Sequence, residues 1–365
     1  MRKKLCEISN PKQWKTISSD MLQTDGYPVY GANGIIGYYH EYNHKCETLL
    51  ITCRGATCGA LNICQPYSYV NGNAMALDNL SDDVDIKYLY YYLLNRGLSD
   101  VITGSAQPQI VRQSLDKVVV EYPVLNKQKE IVDNLNNIEE LISYRKEQLN
   151  KLDELVKSRF IEMFGDPVIN PKSWEIAPLS SLIVTANNGM ARRGKDNDGS
   201  IVLRLVELQN GYIDYAEPNR ISLTEAEEKR YRLNENDFLF ARVNGNPDYV
   251  GRCAVFNEIS EPVYHNDHII RVHFDESKIN GCFTSVLLNS DYGKRQIREQ
   301  IKTSAGQYTI SQDGIGAIMT ILPPLDLQNK FSTFVEQTDK LKFELKQGLE
   351  KLETLKKSLM QQYFG

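Results

Sequence analysis

Residues 123–165 and 323–365 are two copies of one stretch, and that duplication restricts the chain more than any other feature. The first copy reads PVLNKQKEIVDNLNNIEELISYRKEQLNKLDELVKSRFIEMFG and the second PPLDLQNKFSTFVEQTDKLKFELKQGLEKLETLKKSLMQQYFG. The offset is 200 positions at both ends, from 123 to 323 and from 165 to 365. Pro123, Leu125, Gln128, Leu141, Lys146, Leu149, Lys151, Leu152, Leu155, Lys157, Ser158, Phe164 and Gly165 all recur in that register. Chance does not hold register over so many positions without a gap, so the chain is a tandem duplication.

Each copy reads as a long helix. Ile131, Leu135, Ile138, Ile142, Leu149, Leu152, Val156 and Met163 follow steps of three and four or their multiples. Phe331, Val335, Leu341, Leu345, Leu349, Leu352, Leu355 and Leu359 make the matching stripe. A narrow apolar seam flanked by Lys, Glu and Gln is a coiled-coil pattern. Prolines at 123 and at 323 and 324 mark the starts, and Phe-Gly marks the ends, because proline disfavours helix before it and glycine suits the position just past a helix. A helix of roughly 38 residues spans about 57 Å. Two such helices with matching seams are expected to pack on each other.

At 365 residues the chain suits two domains plus the helices. Its 41% hydrophobic and 24% charged content is that of an ordinary water-soluble protein. No apolar run approaches the roughly 20 residues of a membrane span, and no signal peptide is recognisable. Seven cysteines without a disulfide-like framework suit a reducing cytoplasm. The net charge of −5 does not announce nucleic acid, but phosphate binding depends on a local basic face rather than on the total.

The expected division is therefore a first domain over 1–122, a long helix over 123–165, a second domain over 166–322 and a second helix over 323–365. Both domains read as α+β. In the first, Thr48–Thr52 and Val118–Val120 are strand candidates between Gly/Asn turns, and Lys87–Leu94 is helical. In the second, Ile201–Val206, Asp237–Val243 and His268–Phe274 are strand candidates, and Cys282–Ser290 is helical. Asn170-Pro-Lys-Ser-Trp174 echoes Asn10-Pro-Lys-Gln-Trp14, so the second domain is expected to begin as the first does. The domains also close alike, at Gly104-Ser-Ala-Gln107 and Thr303-Ser-Ala-Gly-Gln307. Between these frames the sequences differ greatly, which points to one architecture holding two different binding surfaces.

Several fragments imitate catalytic motifs and fail them. Gly189–Lys195 has the glycine and lysine spacing of a phosphate loop, but Asp196 stands where Ser or Thr would hold magnesium. An exposed basic loop is the better reading. Asn246-Pro-Asp-Tyr249 resembles the Asn-Pro-Pro-Tyr box of amino-methyltransferases without its second proline or a cofactor loop, and reads as a turn. Cys46, Cys53, Cys58 and Cys64 lack tight zinc-type pairs, and the five histidines form no zincin pair.

What remains is binding chemistry. Duplex DNA is read by forked donors for guanine, amides for adenine and cations for phosphate. The first domain offers Tyr30, Asn33, Arg54, Asn71, Asn73, Gln107, Gln109 and Arg112. The second offers Asn187, Asn188, Arg192, Arg193, Lys195, Arg204, Arg242, Asn244, Asn246, Arg252, Gln307 and Tyr308. Their clustering near glycines marks them as candidate DNA contacts.

The whole pattern of domain, long helix, domain, long helix resembles the specificity subunit of a type I restriction–modification system. The resemblance is carried by Pro123–Gln128 with the Phe164-Gly-Asp-Pro167 ending, by Leu322–Gln328 with Phe364-Gly365, by Tyr27–Tyr38 (YPVYGANGIIGY), and by the two domain closures. It implies an α+β fold with two target-recognition domains at opposite ends of an antiparallel coiled-coil helix pair. It implies a non-catalytic reader of double-stranded DNA whose two domains read the halves of a split, asymmetric target. Two methyltransferase subunits, using S-adenosylmethionine, would flank it and methylate adenines. Restriction subunits using ATP and magnesium would join that core, so no cofactor is expected in this chain. Helices of about 57 Å suffice to set apart two readers by the roughly 34 Å between major-groove faces one turn apart. Two other readings remain: a related split-target system whose partner fuses nuclease and methyltransferase, and a coiled-coil adaptor that binds no DNA.

Overall fold

A computed structural model describes residues 1–104, 107–304 and 306–365. Ser105, Ala106 and Ala305, in the two domain closures, lie outside the described residues. The two copies form helices Leu125–Phe164 and Leu325–Phe364, of 40 residues each. They do not stand apart from the domains. One compact unit comprises Met1–Gln148 with Leu345–Gly365, and the other Leu149–Glu344, so each unit takes in half of both helices. The reason is burial. Ile131, Val132 and Leu135 enter the first unit's core with Met360, while Val156, Phe160 and Phe164 enter the second's with Phe331 and Val335.

Within each unit the helix halves run antiparallel. Glu139 pairs with Lys356 and Lys146 with Glu353 in the first; Asp153 pairs with Lys342 in the second, where Phe160 meets Phe331. The seam differs from expectation at two places. Leu341 and Leu355 are about half exposed, at 51% and 47%. A strict heptad from Phe331 reaches Lys342 and Lys356 instead, and these half-buried lysines lay their stems on the seam while their ammonium groups reach Asp153 and Glu139, 2.7 Å away in each case. The first helix has Arg145 and Arg159 at comparable polar seam positions.

Each long helix is anchored by the glutamine one turn into it. Gln128 is fully buried; its carbonyl accepts from Asp85 N–H, and its amide donates to the carbonyls of Asp83 and Pro123. Gln328, equally buried, accepts from Asn280 N–H and donates to Lys278 and Pro323. Asp85 and Asn280 in turn cap helices Ile86–Arg96 and Gly281–Asn289. One side chain thus satisfies three backbone groups that would otherwise be buried unpaired.

The domain bodies share a topology. In the first unit, β1 (Asn10–Gln13), β2 (Thr48–Thr52), β3 (Leu61–Cys64) and β4 (Ala74–Asp78) form an antiparallel sheet in the order β1-β4-β2-β3. In the second, β5 (Ile183–Asn188), β6 (Phe238–Ala241), β7 (Cys253–Val255) and β8 (Ile269–Phe274) follow the same rule, β5-β8-β6-β7. The nearly continuous apolar runs of β2 and β6 sit at central positions and are buried on both faces. A smaller sheet accompanies each: Tyr27–Gly31 between antiparallel Gly34–Tyr39 and parallel Tyr69–Val70, and Ser200–Leu203 between Arg220–Ile221 and Val263–His265.

The Asn-Pro-Lys-x-Trp echo is not a structural equivalence. Asn10–Gln13 is strand β1, whereas Asn170 folds a turn, exchanging two hydrogen bonds with the Trp174 backbone. Trp174 Nε1 and Lys172 Nζ then cap the first long helix at Phe164 and Met163. The true counterparts are Leu5 and Leu179, which donate from their backbones to Val118 and Ile318. The offset is 174 from 5 to 179 but 200 from 118 to 318, so the second domain gains length in its interior. Among the described residues no helix is long and apolar enough to cross a membrane.

Candidate nucleic-acid interfaces

In the first unit the candidate side chains converge where β2 ends. Ile110 N–H donates to Cys53, Arg54 bridges Gln109, and Cys53 N–H donates to Asn73. Asn33, in the tight turn after Tyr27–Gly31, accepts from Thr57 at 2.6 Å. Asn33, Arg54, Asn73 and Gln109 are thus gathered and exposed, with exposed Gln107 just before and Arg112 opening the short helix Arg112–Leu115. Neither Arg54 nor Arg112 forms an ion pair among the described residues. Two candidates belong to the scaffold instead. Asn71 is 3% exposed and is used by the backbone of Ile17 and Gly72; Tyr30 is buried, its hydroxyl accepting from Gln65 N–H.

The second unit uses the same place in its fold. Ile310 N–H donates to Arg242, the residue after β6, as Ile110 does to Cys53. Asn244 lies opposite Tyr308 in a short antiparallel pair, and exposed Gln307 adjoins it. Pro247–Tyr249 forms a turn capped by the Asn246 amide, so the Asn-Pro-Asp-Tyr segment is a connection between strands. Beyond it Arg252 returns beside Asn244, its guanidinium 3.9 Å from the Tyr249 ring centroid.

Most other arginines there are already engaged. Arg192 makes a forked pair with Glu227, holding that carboxyl down at about 2, and also donates to Ser222. Arg193 contacts Asp267 and His268; Arg204 grips the buried Glu207; Arg242 donates to Asp267 O. The basic 189–199 loop is therefore pinned through Arg192 and Arg193, leaving exposed Lys195 as its cation without an ion pair among the described residues. Asn188, at the end of β5, accepts from Gln312, and exposed Asn187 lies opposite Arg271. Sequence reasoning passed over Tyr249 and Gln209; the spacing of three from Tyr249 to Arg252 was the available signal.

Burial pushes the Cys6 and Cys282 thiols up to about 11 and raises that of Cys253 further; protonated thiols are poor nucleophiles. Among the described residues no three His, Cys, Asp or Glu side chains gather as a metal site.

Residues 2–154 match the family model described as type I restriction modification DNA specificity domain. The StySPI specificity subunit of Salmonella potsdam is 27% identical over 327 residues, 85% of this chain and 68% of that protein. The EcoKI specificity subunit of Escherichia coli K12 is 22% identical over 74% of this chain and 62% of its own length. The type I restriction-modification S subunit of M. genitalium superposes with a TM-score of 0.68 at 16% identity, covering 100% of this chain and 96% of that one. That superposition fixes the fold as the S-subunit fold. Along most of its length the chain is thus similar to type I restriction–modification specificity subunits, with the DNA specificity domain model matched over residues 2–154.

Proposed function

We propose that this chain is the non-catalytic DNA reader of a type I restriction–modification complex, each unit reading one half of a split, asymmetric target. One observation carries the reading: two units of equal topology gather polar and cationic side chains at the same place, after β2 and after β6, with different residues in each. Asn33, Arg54, Asn73 and Gln109 in one, and Asn244, Arg252, Gln307 and Tyr308 in the other, supply forks and amides suited to base edges. Different residues on equal frames favour unequal half-sites.

The helices serve partners and spacing. Each unit exposes one leucine from each long helix, Leu141 with Leu355 and Leu155 with Leu341. An apolar pair repeated once per unit favours two equal partners, the methyltransferase subunits, with the helix length setting the gap between half-sites. S-adenosylmethionine, ATP and magnesium would then act in the methyltransferase and restriction subunits, and the complex would work in the cytoplasm.

The test is single-molecule methylation mapping of DNA from cells expressing this chain with its cognate methyltransferase, against cells lacking this chain alone. A new motif of two unlike blocks around a fixed gap is expected. Methylation that ignores the omission overturns the reading. Leu155→Glu combined with Leu341→Glu should reduce methyltransferase bound per chain from two to one in native mass spectrometry; two retained subunits would place docking elsewhere.

A further inference from the structure

The second unit contains a cleft of about 330 Å³ beside Arg252. Its walls are Leu205, Val206 and Ala241, and its polar groups are Gln209, Asn244, Tyr249 and Arg252. Arg252 differs from most other arginines nearby; Arg242, which also faces no carboxylate among the described residues, instead donates to the Asp267 backbone carbonyl. Arg192, Arg193, Arg204, Arg220 and Arg298 each face a carboxylate. Arg252, half-buried, faces none among the described residues; its Nη1 donates to the neutral Gln209 amide at 3.2 Å, and its Nε is buried without a partner. The plane of the guanidinium is fixed on one side by the Tyr249 ring and at one corner by Gln209. A partly desolvated cation braced in this way is costly unless an acceptor arrives.

We infer that Arg252, presented by Tyr249 and Gln209 at this cleft, reads the O6/N7 edge of a guanine in the half-site of the second unit. This rests on the DNA-reading function proposed above. Guanine fits because its two acceptors match two adjacent guanidinium donors. A phosphate would be met as well by any exposed cation and would gain nothing from three apolar walls. The walls instead suit the flat face of the base or a neighbouring thymine methyl, and the Asn244 amide stands ready for the adjoining base. The cleft also explains why the first unit need not read the same base. Its equivalent connection is the two-residue turn Ala32-Asn33, whereas residues 204–219, which supply Leu205, Val206 and Gln209, occupy that place here.

The test uses the full chain in complex with its methyltransferase partner and a target library randomised over both half-sites. Arg252→Ala, and Arg252→Lys as the variant that keeps charge but loses the fork, should each relax one G·C pair of one half-site. Discrimination there should fall on the order of ten- to a hundredfold, while the gap and the other half-site stay as in wild type. Tyr249→Leu should relax the same pair less. Thermal unfolding of each variant within a few degrees of wild type shows that it folds; if Arg252→Ala does not, Arg252→Lys decides. An unchanged motif overturns the assignment. So does a uniform loss of affinity with a shallower salt dependence, which would make Arg252 a phosphate contact. A wild-type complex with no sequence-specific methylation overturns the functional reading and this assignment together.

Discussion

Replacing Gln328 by leucine keeps a side chain of similar bulk in a fully buried site and removes all three of its hydrogen bonds. Asn280 N–H and the carbonyls of Lys278 and Pro323 lose their partner where water does not reach them easily. Each buried group left unpaired costs about 1–3 kcal/mol. At the lower bound the three cost about 3 kcal/mol, and the easier burial of leucine returns about 1 kcal/mol. The net loss of at least about 2 kcal/mol should lower the melting temperature of the second unit by roughly 4–8 °C or more, since each kcal/mol shifts a unit of this size by about 2–4 °C. Differential scanning calorimetry of the whole chain reads this directly. Gln128→Leu should give a comparable loss in the first unit through Asp83, Asp85 and Pro123. Asn329→Ala, which removes only an exposed contact to Asn280, is the control and should shift little. A shift below about 2 °C in both leucine variants would refute the claim that these glutamines lock the helices to the domains.

Gly348 lies inside the second long helix, where an added Cβ would come only within 4.0 Å of Arg145 Nε, an ordinary contact. Gly348→Ala should therefore stabilise the chain by about 0.5–1 kcal/mol in urea titration; destabilisation would mean the site is tighter than its geometry implies. His265 is fully buried, with Nδ1 on Tyr231 O and Nε2 without a hydrogen-bond partner among the described residues; burial holds its pKa down at about 4. The unfolded chain takes up this proton near pH 6.5 and the folded chain only near 4. Stability of the second unit should accordingly fall as pH drops through that window, by up to about 3 kcal/mol. His268 is also lowered, first by burial, and adds a smaller slope of the same sign. His265→Gln should flatten the profile whatever its effect on absolute stability; an unchanged slope would remove His265 as the cause.

The helices were legible because two independent regularities agreed, a heptad-like seam and its repetition at fixed offset. The seam slipped at Leu341 and Leu355 for a physical reason. Leucine was given precedence over position, whereas the helix gives precedence to position and seats Lys342 and Lys356 on the seam with Asp153 and Glu139 as partners. Strands β2, β6 and β8 were legible as apolar, β-branched or aromatic runs. The Asn-Pro-Lys-x-Trp echo misled because identical local letters met different neighbours: β4 receives Asn10–Gln13 as a strand, while the end of the first long helix receives Lys172 and Trp174 as its cap.

The candidate contacts were less legible, because whether an arginine or amide is free is settled by residues remote in sequence. Arg192 is taken by Glu227, and Asn71 by Ile17. Arg252 has instead a tyrosine, an amide and, among the described residues, no carboxylate, and of these only the nearby Tyr249 is close in sequence. The division between readable and unreadable parts follows from the duplication itself. Groups that hold the frame, such as Gln128 with Gln328 and Ile110 with Ile310, must satisfy the same backbone partners twice and so recur at one offset. Segments that face outward carry no such obligation. Between the first two strands of the small sheet, one unit spends two residues and the other spends 204–219, and the longer connection creates a cleft around Arg252 that the shorter one cannot. A duplicated frame with unequal connections is therefore sufficient to give two unlike recognition surfaces without changing the fold that carries them.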